Sequence, residues 1–172
     1  RDHETEDHSS RVGQIACLLG AEINLSRDEL TSLRRGAILH DIGKIGISDN
    51  ILLKPAPLTN EEWQIMRTHP NIGASIVQGI PFLKDTIPII RHHHERWNGR
   101  GYPLGLQEEE IPFLARIFAV ADVFDALTSQ RLYRDTSSNA DAFNYLHVNS
   151  GILFDPAIVS AFERLLSLDK ID

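Results

Sequence analysis

One cysteine, Cys17, and one methionine, Met66, are all the sulfur in these 172 residues. A single thiol excludes a disulfide within the chain, suits a reducing compartment and leaves no thiolate set for a metal. Cys17 reads as a small buried residue, not a reactive one. No apolar run approaches the length of a membrane span, because Lys84, Arg91 and Arg96 interrupt the candidates. No contact with a membrane is therefore expected from this segment, and no secretory signal is visible, so a cytoplasmic setting is expected. No basic stripe exists either. Lys and Arg number 17 against 24 Asp and Glu, a net charge of −7, which argues against a long nucleic acid as partner. It does not exclude a small anionic nucleotide, since bound divalent ions would reverse the local field. Long period-two alternation, internal repeats and low-complexity tracts are also missing, so a sheet protein or a repeat array is not expected.

What is present is helical. With 42% apolar and 24% charged residues the composition is that of one globular domain. The chain does not begin with Met and opens on a segment bearing candidate site residues, so residues 1–172 are expected to be one domain cut from a longer signalling protein. Val12, Ile15, Ala16, Leu18, Leu19 and Ile23 recur near 3.6 and predict a helix over 4–25. Ser26 is an N-cap with Asp28 and Glu29 in the first turn of a second helix running into His40. Pro55 and Pro57 limit 45–58 to a loop with at most a short turn. Thr59 and Glu62 form a capping-box signature. Further helices are expected over 71–79 and 85–95, with Pro70 breaking the chain after His69. The Gly-rich stretch 96–110 reads as a loop. The segment 113–129 is apolar nearly all round and should be central. Two more helices are expected near 138–149 and 156–168. The sum is an all-α bundle of about seven helices without significant sheet.

Eight histidines stand in this chain, and six candidate positions draw attention to the pairs His40-Asp41 and His93-His94, to His69, and to Asp122. Neighbouring His and Asp offer a metal nitrogen and oxygen ligands. Glu4 and His8 lie four apart, on one helix face. Asp122 sits amid Ala119, Val120, Ala121, Val123 and Phe124. A carboxylate there is costly unless it is paired or metal-bound. The ordinary alternative for Asp122 is an ion pair with a cation such as Arg116. His3, His92 and His147 read as surface or core residues, and Trp63 and Trp97 as packing. Glu95 and Asp125 are expected to orient ligand histidines. Imidazole with carboxylate suits iron, manganese, zinc, cobalt or nickel. Eight ligands, with Asp41 able to bridge, exceed what one ion needs.

Five strings in order, HDIGKIGISDNILLKP, LTNEEWQIMRTHPNIGA, HHERWNGRGYP, ARIFAVADVFDALTSQRLYR and GILFDP, resemble the HD-GYP family of the HD phosphohydrolase superfamily. The resemblance covers nearly the whole chain. It implies an all-α domain hydrolysing the bacterial second messenger cyclic di-GMP to pGpG, and on to GMP after a second cut, at a centre of two or three divalent ions. Iron is the implied metal, with manganese as the alternative. Carried over residue by residue, the metal ligands fall on His8, His40, Asp41, His69, His93, His94 and Asp122. Glu4 is the added ligand of a three-metal subgroup. Lys44 is the family's site lysine, Gly101, Tyr102 and Pro103 its GYP loop, and Arg131 and Arg134 its substrate-contacting cations. Asp41 and Lys44 are the expected catalytic pair, and Lys44, Tyr102, Arg131 and Arg134 the expected substrate contacts. Asn98, Arg100 and Leu132 depart from the common pattern, in the substrate loops and not among the metal ligands. The resemblance also implies docking of a diguanylate cyclase (GGDEF) domain through the GYP loop. Two rival readings stand beside it. One is a module that binds nucleotide or a cyclase without turnover. The other is a hydrolase of a different cyclic dinucleotide or nucleotide.

Overall fold

The computed structural model describes residues 6–129 and 138–168. Glu4, Arg131 and Arg134 lie outside these residues. Among the described residues the chain forms nine α-helices and three short 3-10 turns. No strand is formed among them; the β-type pairing there is two isolated bridges, Asn98 with Gln107 and Ser150 with Phe154. The helices are α1 (Glu6–Glu22), α2 (Arg27–Leu39), α3 (Asp49–Leu52), α4 (Asn60–Met66), α5 (His69–Val77), α6 (Ile87–His92), α7 (Phe113–Thr128), α8 (Asn139–Val148) and α9 (Pro156–Ser167). The all-α expectation holds. The count exceeds the expected seven because the chain is cut into short pieces, with a single turn at α3 and a restart at Pro70. None of the helices is long and apolar enough to cross a membrane.

Local chemistry explains the boundaries. Ser26 and Glu29 close a full capping box on α2, and Thr59 and Glu62 close another on α4. Asp155 caps α9 through the Ala157 amide at 2.8 Å, with Pro156 preset for the first turn. The helix expected over 85–95 is shorter. A 3-10 turn over Pro81–Thr86 precedes α6, which ends at His92, with His93 as its cap. The backbone then turns, Glu95 N–H donating to the His92 carbonyl at 3.0 Å, because the Glu95 side chain is committed to the following loop.

The core sits where α1, α2, α7, α8 and α9 meet. Val12, Leu19, Leu33, Phe118, Phe124, Leu146 and Phe162 are all essentially without exposure. Phe124 and Phe162 meet edge to face at 4.8 Å. Removing one such ring costs about 3–5 kcal/mol. A smaller apolar cluster, Val77, Leu83 and Ile90, lies under α5 and α6. Helix α7 is central, as its composition predicted, and it packs against α1, α2, α6, α8 and α9. The long helices thus form the platform, and α5, α6 and the turn after α2 stand against one end of it.

Candidate metal centre

Five separate pieces of chain bring their polar residues to one place. His8 comes from the first turns of α1, and His40 caps α2 with Asp41 next to it. His69 opens α5, His93 caps α6 with His94 beyond, and Asp122 projects from the middle of α7. Two groups result, each with ligand atoms within 4.8 Å of one another: His8, His40 and Asp122, and Asp41, His69, His93 and His94. Asp41 belongs to the second group and also reaches the first. Its Oδ1 is 3.2 Å from His69 Nε2 and its Oδ2 is 3.3 Å from His40 Nε2. All seven described residues expected to be ligands are therefore brought together.

The histidines are oriented by a repeated local device. His40, His69 and His93 each donate Nδ1–H to the carbonyl three residues earlier, of Ala37, Met66 and Ile90, at 2.8–2.9 Å. The carbonyl can only accept, so Nδ1 carries the hydrogen in all three rings and a neutral ring keeps its lone pair on Nε2. Those Nε2 atoms converge. The His69 and His93 nitrogens lie 3.3 Å apart with Asp41 Oδ1 beside both. Lone pairs facing lone pairs and a carboxylate, in a site almost without solvent, are a poor packing solution and a good cation site. The donor set fits a divalent ion.

Protonation differs across the site. Burial would lower the His8 pKa, but hydrogen bonds to Asp122 and Asp125 outweigh it and lift His8 to about 9. Burial likewise opposes protonation of His40, and Asp41 more than reverses it, so its pKa is raised. For Asp41, burial would raise the carboxyl, yet hydrogen bonds from His40 and His69 and the charges of His40 and Lys44 hold it far below the ordinary range. In the other direction, burial and the neighbouring His40 push His93 down to about 3, and burial with His93 and His69 pushes His94 lower as well.

Several sequence expectations change here. Asp122 is paired across the fold, its side chain keeping 22% of its exposure with Oδ1 3.3 Å from His8 Nε2. Arg116 is not its partner; that guanidinium bonds Asp155 at 2.7 Å. Asp125 does orient a histidine, accepting from His8 Nδ1 at 2.7 Å, and it also takes Arg11 Nε at 2.6 Å. Arg11 went unread, although its place three residues after His8 puts it on the same face. Glu95 does not orient a ligand histidine. Its two oxygens accept the Leu104 and Leu106 amides at 2.8 and 3.1 Å, and the imidazole of His92, 3.7 Å away, is not among the candidate ligands.

The remaining residues line the same cleft. Lys44 Nζ is 2.9 Å from Asp41 Oδ2. The Tyr102 ring stacks on His94 at 4.6 Å, with the Arg67 guanidinium 5.4 Å from its centre. Burial and Asp41 push the Tyr102 phenol up to about 12, so it stays an uncharged donor at neutral pH. Two glycines are required by contact. A Cβ on Gly43 would lie 1.8 Å from the His69 carbonyl oxygen, and one on Gly101 2.4 Å from the Arg96 nitrogen.

A family model described as HD domain matches residues 2–158. The chain belongs to the HD domain family. This HD domain is 46% identical over 167 residues to a Thermotoga maritima protein named cyclic di-GMP phosphodiesterase, a match covering 96% of the chain and 45% of that protein. It is 35% identical to a Vibrio cholerae protein named 3′3′-cGAMP-specific phosphodiesterase 3, over 95% of the chain and 36% of that protein. A V. cholerae crystal structure described as a cyclic GMP-AMP specific phosphodiesterase superposes with a TM-score of 0.78 at 23% identity, covering 98% of the chain and 45% of that structure, which shows the fold. The HD domain spans less than half the length of the relatives it matches.

Proposed function

We propose that this HD domain hydrolyses cyclic di-GMP, cutting one phosphodiester to give linear pGpG, with GMP after a second cut. The observation that carries the reading is the position of Asp41, whose two oxygens face imidazoles of both ligand groups. One carboxylate shared between two adjacent donor sets is what a two-ion phosphodiesterase needs. His8, His40 and Asp122 are assigned to one ion, and His69, His93 and His94 to the other, with Asp41 between them. The name of the Thermotoga relative supports the substrate. Iron is the assigned metal and manganese the alternative on the strength of the family resemblance, and the described nitrogen and oxygen donors suit both. Glu4 would add a third ion.

When bound, divalent ions polarise water and the phosphoryl oxygens. The chain supplies the rest. In the balanced step water gives up a proton to solvent as its oxygen bonds phosphorus, the bond to the ribose 3′ oxygen breaks, and a proton goes to that oxygen. Lys44, beside Asp41, is assigned to balance charge on the phosphate and to donate that proton. Tyr102 is assigned to a base of the substrate, and Arg131 and Arg134 to its second phosphate or a guanine edge. Docking of a cyclase domain through the GYP loop belongs to the same proposal, supported by the exposed Leu104 beside Pro103. A cytoplasmic location follows from the substrate so assigned.

A second reading, hydrolysis of 3′3′-cGAMP, is favoured by the name of the Vibrio relative. Anaerobic purification with Fe(II) or Mn(II), followed by chromatography of products from both dinucleotides, decides between them. Appearance of pGpG or GMP from cyclic di-GMP, lost in Asp41→Ala, is the expected result. Turnover of the mixed dinucleotide alone selects the second reading. No turnover of either by the ion-filled protein sinks both.

A further inference from the structure

The residue after the paired histidines has a task that the metal chemistry leaves unexplained. Glu95 is 4% exposed, and both of its oxygens are spent on backbone amides across the loop, Leu104 N–H to Oε1 and Leu106 N–H to Oε2. The same short stretch holds the loop twice more. The Tyr102 amide donates to the His94 carbonyl at 3.2 Å, and Gly101 is pressed so tightly against residues 95 and 96 that no side chain fits. Between these fixings lies Tyr102, its ring stacked on His94 and edge-on to His69 at 6.5 Å. A carboxylate accepting two amides spaced two residues apart fixes the path of the chain between them and beyond.

We propose that Glu95 is a positioning residue for substrate: it clamps residues 101–106 so that Tyr102 stands against His94 at the mouth of the metal centre. The clamp and the centre are built from consecutive residues, His93, His94 and Glu95. The geometry that sets His94 among the ligands therefore also sets the loop that a nucleotide base meets. This deepens the phosphodiesterase reading and rests on it for the identity of the substrate. Glu95 touches neither ion ligand atoms nor substrate, so its effect belongs in substrate binding more than in the chemical step. Removing the carboxylate orphans two amides and frees the loop. Gln keeps an acceptor for one amide and sets an amino group against the other.

The test uses the whole chain filled with Mn(II), as wild type, Glu95→Gln and Glu95→Ala. Metal content, hydrogen exchange at the Leu104 and Leu106 amides, and KM and kcat for cyclic di-GMP are measured. Glu95→Ala is expected to speed exchange at both amides, keep the ion content, and raise KM roughly tenfold with a smaller change in kcat. Glu95→Gln should fall between the two. Unchanged exchange in Glu95→Ala overturns the clamp. Loss of ions and kcat together at constant KM overturns the positioning role and leaves a merely structural one. Should wild type turn over no cyclic dinucleotide, the phosphodiesterase reading falls. The exchange of the two amides in wild type and Glu95→Ala then still decides for or against the clamp.

Discussion

The two halves of the candidate metal centre are built from different material. His8, His40 and Asp122 stand on α1, α2 and α7, the long helices that form the main core. Asp41, His69, His93 and His94 stand on the turn after α2 and on the ends of α5 and α6, two helices of nine and six residues over a small apolar cluster. The first half keeps protons in the absence of metal: His8 is gripped by two carboxylates and its pKa rises to about 9. In the second, burial and the charge of the neighbouring His40 hold His93 at about 3, and burial with His93 pushes His94 down as well. A rigid platform can hold a proton on an imidazole between fixed carboxylates. A ring of histidines around one anion cannot all be charged at once.

Asp41 is common to both halves, so its loss should have the largest effect. Asp41→Asn removes the anion facing His40 and His69 while keeping the shape. Turnover is expected to fall on the order of 10³-fold or more, with metal content reduced in both halves, measured by elemental analysis and product chromatography. An ion lost from one half alone would show that Asp41 is not shared.

The next effect separates the halves. Gly43 packs on the backbone of His69, and Gly43→Ala forces the turn away from α5. It should destabilise the fold by about 1–3 kcal/mol and empty the second half while His8, His40 and Asp122 retain their ion. Thermal unfolding and metal stoichiometry check this. Equal loss from both halves would mean that the turn and the long-helix platform move as one.

Much of this was legible in the chain. Paired residues at 40–41 and 93–94, the capping signatures at Ser26 and Thr59, and the apolar α7 segment announce both candidate ligands and helices, because each depends on neighbours within four residues. What escaped depends on contacts across the fold. Asp125 meets His8 over 117 positions of chain, and Arg11 joins them only once α1 lies on α7. Glu95 looks like a ligand partner in sequence, and only the path of the loop shows that its oxygens serve Leu104 and Leu106. Asp122 has apolar neighbours in sequence, yet its side chain keeps 22% of its exposure and meets His8 across the fold.

Asp125 offers a milder perturbation of the first half. Asp125→Asn keeps an acceptor for His8 Nδ1–H but removes the charge. Changes in groups that orient a ligand cost roughly 10–100-fold in metal affinity, here expected for the His8 ion and not for the ion at His69, His93 and His94. Metal titration followed in His69→Ala and His8→Ala backgrounds, which leave one half each, assigns the change.

The smallest expected effect is the one that tests the protonation argument itself. A histidine must be neutral to bind a metal, so an ion entering the first half must displace the His8 proton at any pH below about 9. Affinity there should fall as pH falls, about tenfold per unit for one displaced proton. His93, at about 3, is already neutral, so the second half owes no proton from that ring between pH 6 and 8. Calorimetric titration with Mn(II) in buffers of different ionisation enthalpy counts the protons released. His69→Ala should release at least one proton per ion at pH 7, and His8→Ala fewer. Equal release from the two variants would mean that the carboxylate pair at Asp122 and Asp125 does not hold a proton on His8. The contrast between the halves would then reduce to their packing.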